Sequence, residues 1–409
     1  MISGLRYAAL IPIILLVLAI PNSFAQDARA LSARRISTLP AGQQAAWTAY
    51  FQKSQRQMQF DKETFASELK AAGLKEPIPA PGGSYFPREA GRTKGWYGTP
   101  EALAIADNIV SFQTPSGGWC KHVTMSKAAR QPGQCYQNDN NWRYVGTFDN
   151  GATYSHMLFL ARAYKASGRE AHKKAFLRGV EYMLMAQYPN GGWPEVYPLM
   201  GGYMDNITFN DGAMIHVMTV LKQVADGEYE FVPVERRAQA KAAFEHGIDC
   251  ILACQIKVGR VPTVWCSQHD AQTLAPAKAR AYELPSLSGG ESSGIVQFLM
   301  SLDKPSPAVM KAVHDAAAWY ERSKLTGIRQ ERQNGNKVIV KDPNAPPLWA
   351  RFYDLETNCP FFCGRDGVKK WDIAEIEAER RNGYGWYGTS GSDVLAEYAK
   401  WKTKMAEGK

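Results

Sequence analysis

The chain has 409 residues, of which 45% are apolar and 21% charged, and its formal net charge is +9 at pH 7. This balance is ordinary for a globular protein, and the length allows one large core or two smaller ones. The positive charge favours an anionic partner. Nucleic acid is excluded as that partner because the sequence has no basic helix, no RNP-like pattern and no Cys/His finger spacing.

The first 25 residues have the pattern of a secretory signal peptide. Arg6 supplies a positive charge, residues 8–20 form an apolar run, and Ser23-Phe24-Ala25 form a small-x-small cleavage site. An uncleaved anchor is the alternative, but the apolar run is short for a membrane span. We therefore predict a mature chain of residues 26–409 that is secreted or periplasmic and not bound to a membrane. For such a protein an acidic extracellular polymer is the natural partner.

All seven cysteines lie in the mature chain. Export permits disulfide bonds, but an odd number leaves at least one cysteine free. Cys250 and Cys254 are four residues apart in a helical pattern, where the two side chains are poorly directed for a bridge. No spacing matches a zinc site with four ligands.

Apolar residues recur at helical spacing along most of the chain, which predicts an all-α fold. Residues 26–95 are expected to form peripheral helices and a loop at the edge of a single domain. Strand-like alternation is sparse, and its clearest case is the short segment KVIV, residues 337–340. The stripes that predict core-facing helices lie within residues 102–109, 157–164, 176–183, 214–221 and 394–401.

Three motifs occur twice. PSGGWCK at residues 115–121 is echoed by PNGGWPE at 189–195, TFDNGA is echoed by TFNDGA, and GWYGT occurs at 95–99 and again at 385–389. Helix, Gly-Gly-Trp turn, polar loop and helix are thus repeated, which predicts an α/α toroid with its helix connections gathered at one end. Loops on such a rigid scaffold are where sites usually form. The long irregular loops are expected at residues 77–92, 260–290 and 324–347.

Each TFDNGA-like turn carries an acidic residue just before a helical pattern. Asp149 with Asn150, and Asn210 with Asp211, suit helix N-caps, and capping is the simpler interpretation. Carboxylate and amide oxygens are also the ligands that Ca²⁺ prefers. If the repeats lie side by side, Asp149 and Asp211 would converge on one ion, with substrate carboxylates and water completing its shell.

The C-terminal third carries separated arginines beside glycine or aromatic residues. A guanidinium binds a carboxylate at two points, so this set favours a uronate ligand. For any single arginine, a surface position or an internal ion pair is the simpler alternative. Lys121 would contact an anion, and the tryptophans would either stack on sugar rings or pack between helices. The residues concerned are Arg280, Arg351, Arg365, Arg380, Arg381, Trp96, Trp119, Trp193, Trp265 and Trp386.

Two hydrolase classes are disfavoured by missing motifs. The chain has no Gly-x-Ser-x-Gly elbow after a strand and no His-Glu-x-x-His sequence. An inverting glycoside hydrolase on an α/α toroid needs only two carboxylates that face a sugar. It stays open as an alternative, together with a non-catalytic protein that binds acidic glycans.

Seven separated motifs between residues 96 and 401 occur in the order found in one known family. They are GGWCK, TFDNGATY, GGWPEVYP, TFNDGAM, CSQHD with AKARAYELPSLSG, RFYDLETNCPFFCGRDGVKKW, and ERRNGYGWYG. On these motifs the chain resembles the pectate lyases of polysaccharide lyase family 10. The resemblance implies an (α/α)3 toroid with a substrate groove, and β-elimination of polygalacturonate with Ca²⁺ bridging the enzyme and the substrate carboxylate. We expect a monomer.

The resemblance also implies roles for residues at the matching positions. Asp149 and Asp211 are expected to bind calcium, with Asn150 beside the substrate. Arg365 is expected to be the base that removes the C5 proton, provided that nearby Ca²⁺ and arginines lower its pKa. The residues expected to bind substrate are Arg280, Arg351 and Arg380, with Lys121 as a further anion contact.

Two positions depart from the family pattern. Cys359 stands where arginine is usual, and His122 follows Lys121 where asparagine is common. These changes would alter a subsite or permit contact between Cys359 and Cys363. They bear on substrate preference more than on the type of reaction.

Overall fold

The computed structural model describes residues 30–83, 92–137 and 144–407. The predicted signal peptide, residues 1–25, lies outside these residues. Among the helices of the described ranges, none combines the length and the apolar character needed to cross a membrane.

Helices dominate the described residues, in agreement with the apolar periodicity. Two of them begin with a capping hydroxyl followed by proline: Thr99 accepts from the Ala102 amide beside Pro100, and Ser306 caps the helix that starts at Pro307. The helices are α1 (Ala33–Ile36), α2 (Ala41–Ala71), α3 (Pro100–Ser111), α4 (Tyr154–Ser167), α5 (Glu170–Ala186), α6 (Ala213–Ala225), α7 (Val234–Ala253), α8 (Glu291–Met300), α9 (Pro307–Arg322), α10 (Ala378–Gly383) and α11 (Ser390–Ala406).

Three pairs of consecutive helices pack as hairpins: α4 with α5, α6 with α7, and α8 with α9. The hairpins stack in two layers, because α4 contacts α6 and α6 contacts α8, while α5 contacts α7 and α7 contacts α9. Helix α3 packs against the first hairpin and α11 against the last. The described residues thus form a helix-rich stack that is consistent with a helical toroid.

A buried tryptophan follows each of the helices α3, α5, α7 and α9. Its indole N–H donates to a backbone carbonyl of that helix, so the ring fixes the path of the chain into the next helix. These rings pack between helices and do not stack on sugars. The bonds run from Trp119 to Ile109 (2.8 Å), from Trp193 to Met183 (2.8 Å), from Trp265 to Ile251 (2.6 Å) and from Trp349 to Tyr320 (2.9 Å). Trp386 is buried as well, whereas Trp96 is partly exposed.

The strands are short and pair two by two. The predicted segment KVIV lies in the longest pair, β8 (Ile328–Gln333) with β9 (Asn336–Lys341), and their connecting Asn334 and Gly335 both have positive φ, as a tight hairpin turn requires. The remaining strands have two residues each, too few for periodicity to reveal, and they tie loops together. The antiparallel pairs are β1 (Gly146–Thr147) with β2 (Val196–Tyr197), β3 (Ile207–Thr208) with β6 (Gln268–His269), β4 (Lys257–Val258) with β5 (Val261–Pro262), β7 (Leu287–Ser288) with β11 (Phe352–Tyr353), β10 (Trp349–Ala350) with β14 (Tyr387–Gly388), and β12 (Phe362–Cys363) with β13 (Lys369–Lys370).

Candidate active site

Two equivalent turns lie side by side before helices α4 and α6. Asp149–Gly151 and Asn210–Gly212 each form a short 3₁₀ segment, and Asn150 Nδ2 donates to Asp211 Oδ2 at 2.6 Å. Asn150 and Asp211 occupy the same position of the repeat, and both have left-handed backbone angles (φ 54° and 50°), which Asn and Asp tolerate better than most residues. The two copies of the repeated motif therefore meet in one place.

The two carboxylates do not cap the helices that follow. The N-cap residues are Thr153 for α4 and Gly212 for α6, and neither helix has a side-chain cap bond. Asp149 Oδ1 instead accepts from the adjacent Asn150 amide at 2.8 Å. The capping interpretation is therefore wrong for these two helices.

The carboxylates of Asp149 and Asp211 repel each other. Burial raises the pKa of Asp211, and the nearby Asp149 carboxylate raises it further, against the opposing charges of Arg351 and Arg280. A cation bound here would relieve that repulsion. Within the described ranges there is no group of three or more acidic, histidine or cysteine side chains that could hold a metal ion. A cation between these turns would thus need oxygen ligands from other sources.

Four residues around the turns share one repeat position, two places after a buried tryptophan. At two of these residues the backbone carbonyl accepts a hydrogen bond from the residue that precedes a turn. The Phe148 amide donates to the Glu195 carbonyl and the Phe209 amide to the Ser267 carbonyl, both at 2.9 Å. The fold therefore delivers equivalent side chains from successive hairpins to one region. The four residues are Lys121, Glu195, Ser267 and Arg351.

Lys121 is the cation of the first turn. Its Nζ pairs with the Asp149 carboxylate and lies 3.4 Å from Glu195 Oε1. The pKa of Glu195 is raised to about 7, first by burial and then by the Asp149 carboxylate, with Lys121 acting in the opposite direction. Burial lowers the pKa of Lys121, but the two carboxylates outweigh it and the pKa is raised, so the ammonium stays charged.

Arg351 is the cation of the second turn. Its Nη2 donates to Glu291 Oε1 at 2.5 Å and to Asn210 Oδ1 at 3.2 Å, and Glu291 Oε2 accepts from the Asp211 amide at 3.1 Å. The pKa of Glu291 is raised to about 7 by burial, with Arg351 opposing and Asp211 adding to the rise. Each acidic turn is thus flanked by one cation and one buried glutamate.

A chain of contacts through Glu283 and Tyr384 connects Arg280 to Arg351. It binds the Glu283 carboxylate with Nη2 and with Nε, the latter at 2.7 Å, and Tyr384 Oη donates to the same carboxylate at 2.8 Å. The ring centroid of Tyr384 lies 4.6 Å from the guanidinium of Arg351, a cation–π distance. Two of the arginines expected to bind substrate are therefore joined by a tyrosine and a glutamate.

Three arginines surround the ring of Tyr282. Its centroid lies 5.0 Å from the guanidinium carbon of Arg280, 4.7 Å from that of Arg380 and 5.8 Å from that of Arg365. Arg365 and Arg380 also share the carboxylate of Glu379. Sequence-distant loops thus bring all these guanidinium groups together.

Arg381 is separate from this group. It donates from Nη1 to the Ala374 carbonyl at 3.0 Å and from Nη2 to Asn336 Oδ1 at 3.2 Å. The second bond fastens α10 to β9, and the first fastens it to the 3₁₀ segment Ile373–Glu375. Of the two adjacent arginines, Arg380 is the one that joins the site.

The sequence model of the pectic acid lyase family matches residues 113–395. The chain belongs to this family. Among solved structures, a family 10 polysaccharide lyase from Cellvibrio cellulosa is 36% identical with a TM-score of 0.68, and the match covers 76% of this chain and 95% of that one. A mutant of the Cellvibrio family 10 lyase in complex with trigalacturonic acid is also 36% identical, with a TM-score of 0.67 and coverage of 75% and 95%. No curated protein matches the chain. The resemblance to family 10 is confirmed, and the chain is a polysaccharide lyase.

Some residues of this lyase site were missed by reasoning from the sequence. Glu195 had a signal, since it stands at the repeat position of Lys121. Tyr282 lies within the motif AKARAYELPSLSG, and Glu379 begins the motif ERRNGYGWYG. Glu291 had no signal beyond its charge, because an ion-pair partner on another loop is not visible in spacing.

The two departures from the family pattern differ in their surroundings in the lyase. His122 lies beside the Asn150 turn: burial and the charge of Lys121 lower the pKa of its imidazole, while a hydrogen bond with Asn150 acts in the opposite direction. Cys359 is exposed, and it forms no disulfide bond with Cys363. His122 is thus the departure that lies near the acidic turns.

Proposed function

We propose that the chain is an exported, calcium-dependent pectate lyase that cleaves de-esterified homogalacturonan by β-elimination. The observation that carries the proposal is the meeting of Asp149 and Asp211 beside a group of arginines in a chain of this family. The complex of a similar enzyme with trigalacturonic acid supports an oligogalacturonate substrate. The three stacked hairpins, α4–α5, α6–α7 and α8–α9, support an (α/α)3 toroid whose loops form the substrate groove.

Asp149 and Asp211 are the residues that would hold calcium. A divalent cation would relieve the repulsion between the two carboxylates, and both side chains offer the hard oxygen donors that calcium prefers. Because the described residues offer fewer than three acidic ligands here, substrate carboxylates and water would complete the shell. When bound, calcium would stabilise negative charge that develops on the substrate carboxylate.

The side chains of the site would bind the substrate and stabilise the charge that forms. Lys121, Arg351 and Asn150 border the two turns, so they would hold the galacturonate unit whose C5 proton is lost. That proton is acidic because it lies α to a carboxylate, and its removal leaves enolate-like charge on this group. Fixed cations beside it lower the barrier. The bond from C4 to the glycosidic oxygen then breaks, its electron pair leaves on the oxygen, and a 4,5-unsaturated end forms.

The base is expected to be an arginine, and the family resemblance implies Arg365. Its pKa is raised by a hydrogen bond with Glu379 and by the charge of Glu379, while Arg380 lowers it by less. Arg380 thus acts in the direction that a base requires but is outweighed by Glu379, and the exposed position of Arg365 adds little lowering by burial. Arg365 suits the binding of a carboxylate better than proton removal.

Arg280 is the second candidate for the base, and its location supports it. Its charge lowers the pKa of Asp211 and of Glu195, so it acts on both acidic turns. Burial lowers the pKa of Arg280 itself, although Glu283 outweighs burial and the net pKa is raised. Release of Glu283 on substrate binding would leave the lowering effect of burial. We therefore propose Arg280 for proton removal, with Arg365, Arg351 and Arg380 binding carboxylates.

One experiment tests the proposed function against its rivals. Incubation with polygalacturonate, with and without a chelator, should give ultraviolet absorbance from the conjugated product only when calcium is present. An inverting glycoside hydrolase would produce reducing ends without that absorbance, and a binding protein would leave the chain length unchanged. Activity that persists unchanged in chelator would overturn the calcium assignment.

We also propose that residues 1–25 are removed on export and that the mature enzyme acts as a monomer in the periplasm or the medium. Mass spectrometry of the exported protein should give a mature chain beginning at Gln26. Light scattering should give the mass of a single chain.

A further inference from the structure

Glu379 is held by two arginine forks at once. Arg365 donates from Nε to Oε2 at 3.0 Å and from Nη2 to Oε1 at 3.2 Å. Arg380 donates from Nε to the same Oε2 at 2.6 Å and from Nη2 to the same Oε1. Both guanidinium groups thus present the Nε–Nη2 edge, one of the edges that grips a carboxylate at two points, to a carboxylate of the protein itself.

This arrangement lies at the surface and not in the core. The side chains of Glu379 and Arg365 are 54% and 63% exposed, whereas that of Arg380 is 13% exposed. The ion pair between Glu379 and Arg365 therefore contributes little to folding stability. Because the Glu379 carboxylate is accessible, another carboxylate can replace it from solvent.

The two guanidinium groups belong to the region where the substrate would bind. Both lie over the ring of Tyr282, where they meet Arg280. The hydrogen bonds from Arg380 and Arg365 lower the pKa of Glu379 to about 2, so this side chain stays ionised at any working pH and is always present as a competing anion.

We infer that Glu379 is a stand-in for a substrate carboxylate: it fills the forks of Arg365 and Arg380 in the free protein, and a galacturonate carboxylate displaces it on binding. The inference rests on the proposed function. An ionised galacturonate replaces Glu379 with a group of the same charge and shape, whereas a methyl-esterified unit has no charge with which to compete. Glu379 thereby lowers the affinity of the forks for every ligand, and an ionised unit displaces it more readily than an ester does.

Binding of trigalacturonic acid by titration calorimetry, in chelator so that no turnover occurs, tests the inference. Glu379→Gln should bind about threefold to tenfold more tightly than the wild type, because the carboxylate that competes for both forks is gone. Glu375→Gln is the matched control: it removes the same charge from an exposed position four residues earlier, and within the described ranges it has no ion pair with either arginine. Its affinity should change by about twofold or less.

Two further measurements separate displacement from a merely structural role. In an Arg365→Ala background, Glu379→Gln should give a much smaller gain, because one of the two forks is gone. The ratio of KM for partly methyl-esterified pectin to KM for polygalacturonate should rise in Glu379→Gln, because the ionised substrate gains the full affinity of the vacated forks and the ester gains less. Weaker binding by Glu379→Gln than by the wild type, or an equal gain in Glu375→Gln, overturns the inference alone. Failure of the wild type to bind or cleave polygalacturonate overturns the proposed function and the inference with it.

Discussion

Glu195→Gln tests the electrostatics of the acidic turns directly. The Glu195 side chain is 5% exposed, and burial, followed by the Asp149 carboxylate, raises its pKa from 4.5 to about 7. Because the folded-state pKa lies above the unfolded value, the contribution to stability is fully present below pH 4.5 and is lost as the pH rises through 7. Glutamine has nearly the same shape and no charge, so the variant avoids this loss.

The expected magnitude follows from the two pKa values. The difference between 4.5 and about 7 corresponds to about 3 kcal/mol of unfolding free energy at alkaline pH, at ~1.4 kcal/mol for each pKa unit. The lost attraction to Lys121 reduces this gain, although the contact is long, at 3.4 Å, and Lys121 keeps its pair with Asp149. We expect a net stabilisation of about 1–3 kcal/mol, or about 2–5 °C in Tm for a chain of this size.

Thermal unfolding followed by circular dichroism in chelator, from about pH 5 to about pH 9, provides the assay. The melting temperatures of the wild type and Glu195→Gln should be similar at the acid end, where both side chains are neutral, and should separate as the pH rises. Glu245→Gln, at an exposed position, should shift the curve at neither end. A variant that is less stable at alkaline pH, or a difference that does not depend on pH, would refute the reasoning.

Five further substitutions test the site and the fold. Arg280→Lys should lower kcat on polygalacturonate by about 100-fold or more, since a general base contributes roughly 10²–10⁴-fold. Arg365→Lys should mainly raise KM. The reverse pattern would identify Arg365 as the base. Asp149→Ala should abolish the rise in Tm that calcium gives the wild type, and an unchanged rise would disprove its role as a ligand. Gly191→Ala should lower the free energy of unfolding in urea by about 2–4 kcal/mol, because φ is +89° and an added Cβ would lie 2.1 Å from a carbonyl oxygen. Gly201→Ala is the control. Its φ is similar, at +85°, but the nearest atom to an added Cβ is 3.8 Å away, so the loss should be about 1 kcal/mol.

Sequence periodicity predicted helices α3, α4, α5, α6 and α11, because each buries one apolar stripe, and the repeated motifs predicted that helices pair. The turns of Asp149 and Asp211 meet because their motifs precede α4 and α6, which are neighbours in one layer. The sequence favoured capping by these two residues, since Asp and Asn are good caps, and only the backbone geometry overturns it. The contacts of Arg280 and Arg365 lay beyond sequence reasoning, because loop conformation decides which of several nearby carboxylates each arginine meets.

The stacked hairpins explain how one site carries so many opposed charges. A single backbone position, two residues after each buried tryptophan, supplies a lysine, a glutamate, a serine and an arginine in successive units, so the scaffold stays constant while the charge at the position varies. Within the protein these charges are only partly balanced. Glu195 and Glu291 have raised pKa values, and Arg365 and Arg380 share the single carboxylate of Glu379. A polyanion would supply negative charge to the arginines, and a divalent cation would supply positive charge to the aspartates. Binding of the two should therefore be mutually reinforcing, and calcium should raise the affinity for trigalacturonic acid by the same factor as trigalacturonic acid raises the affinity for calcium.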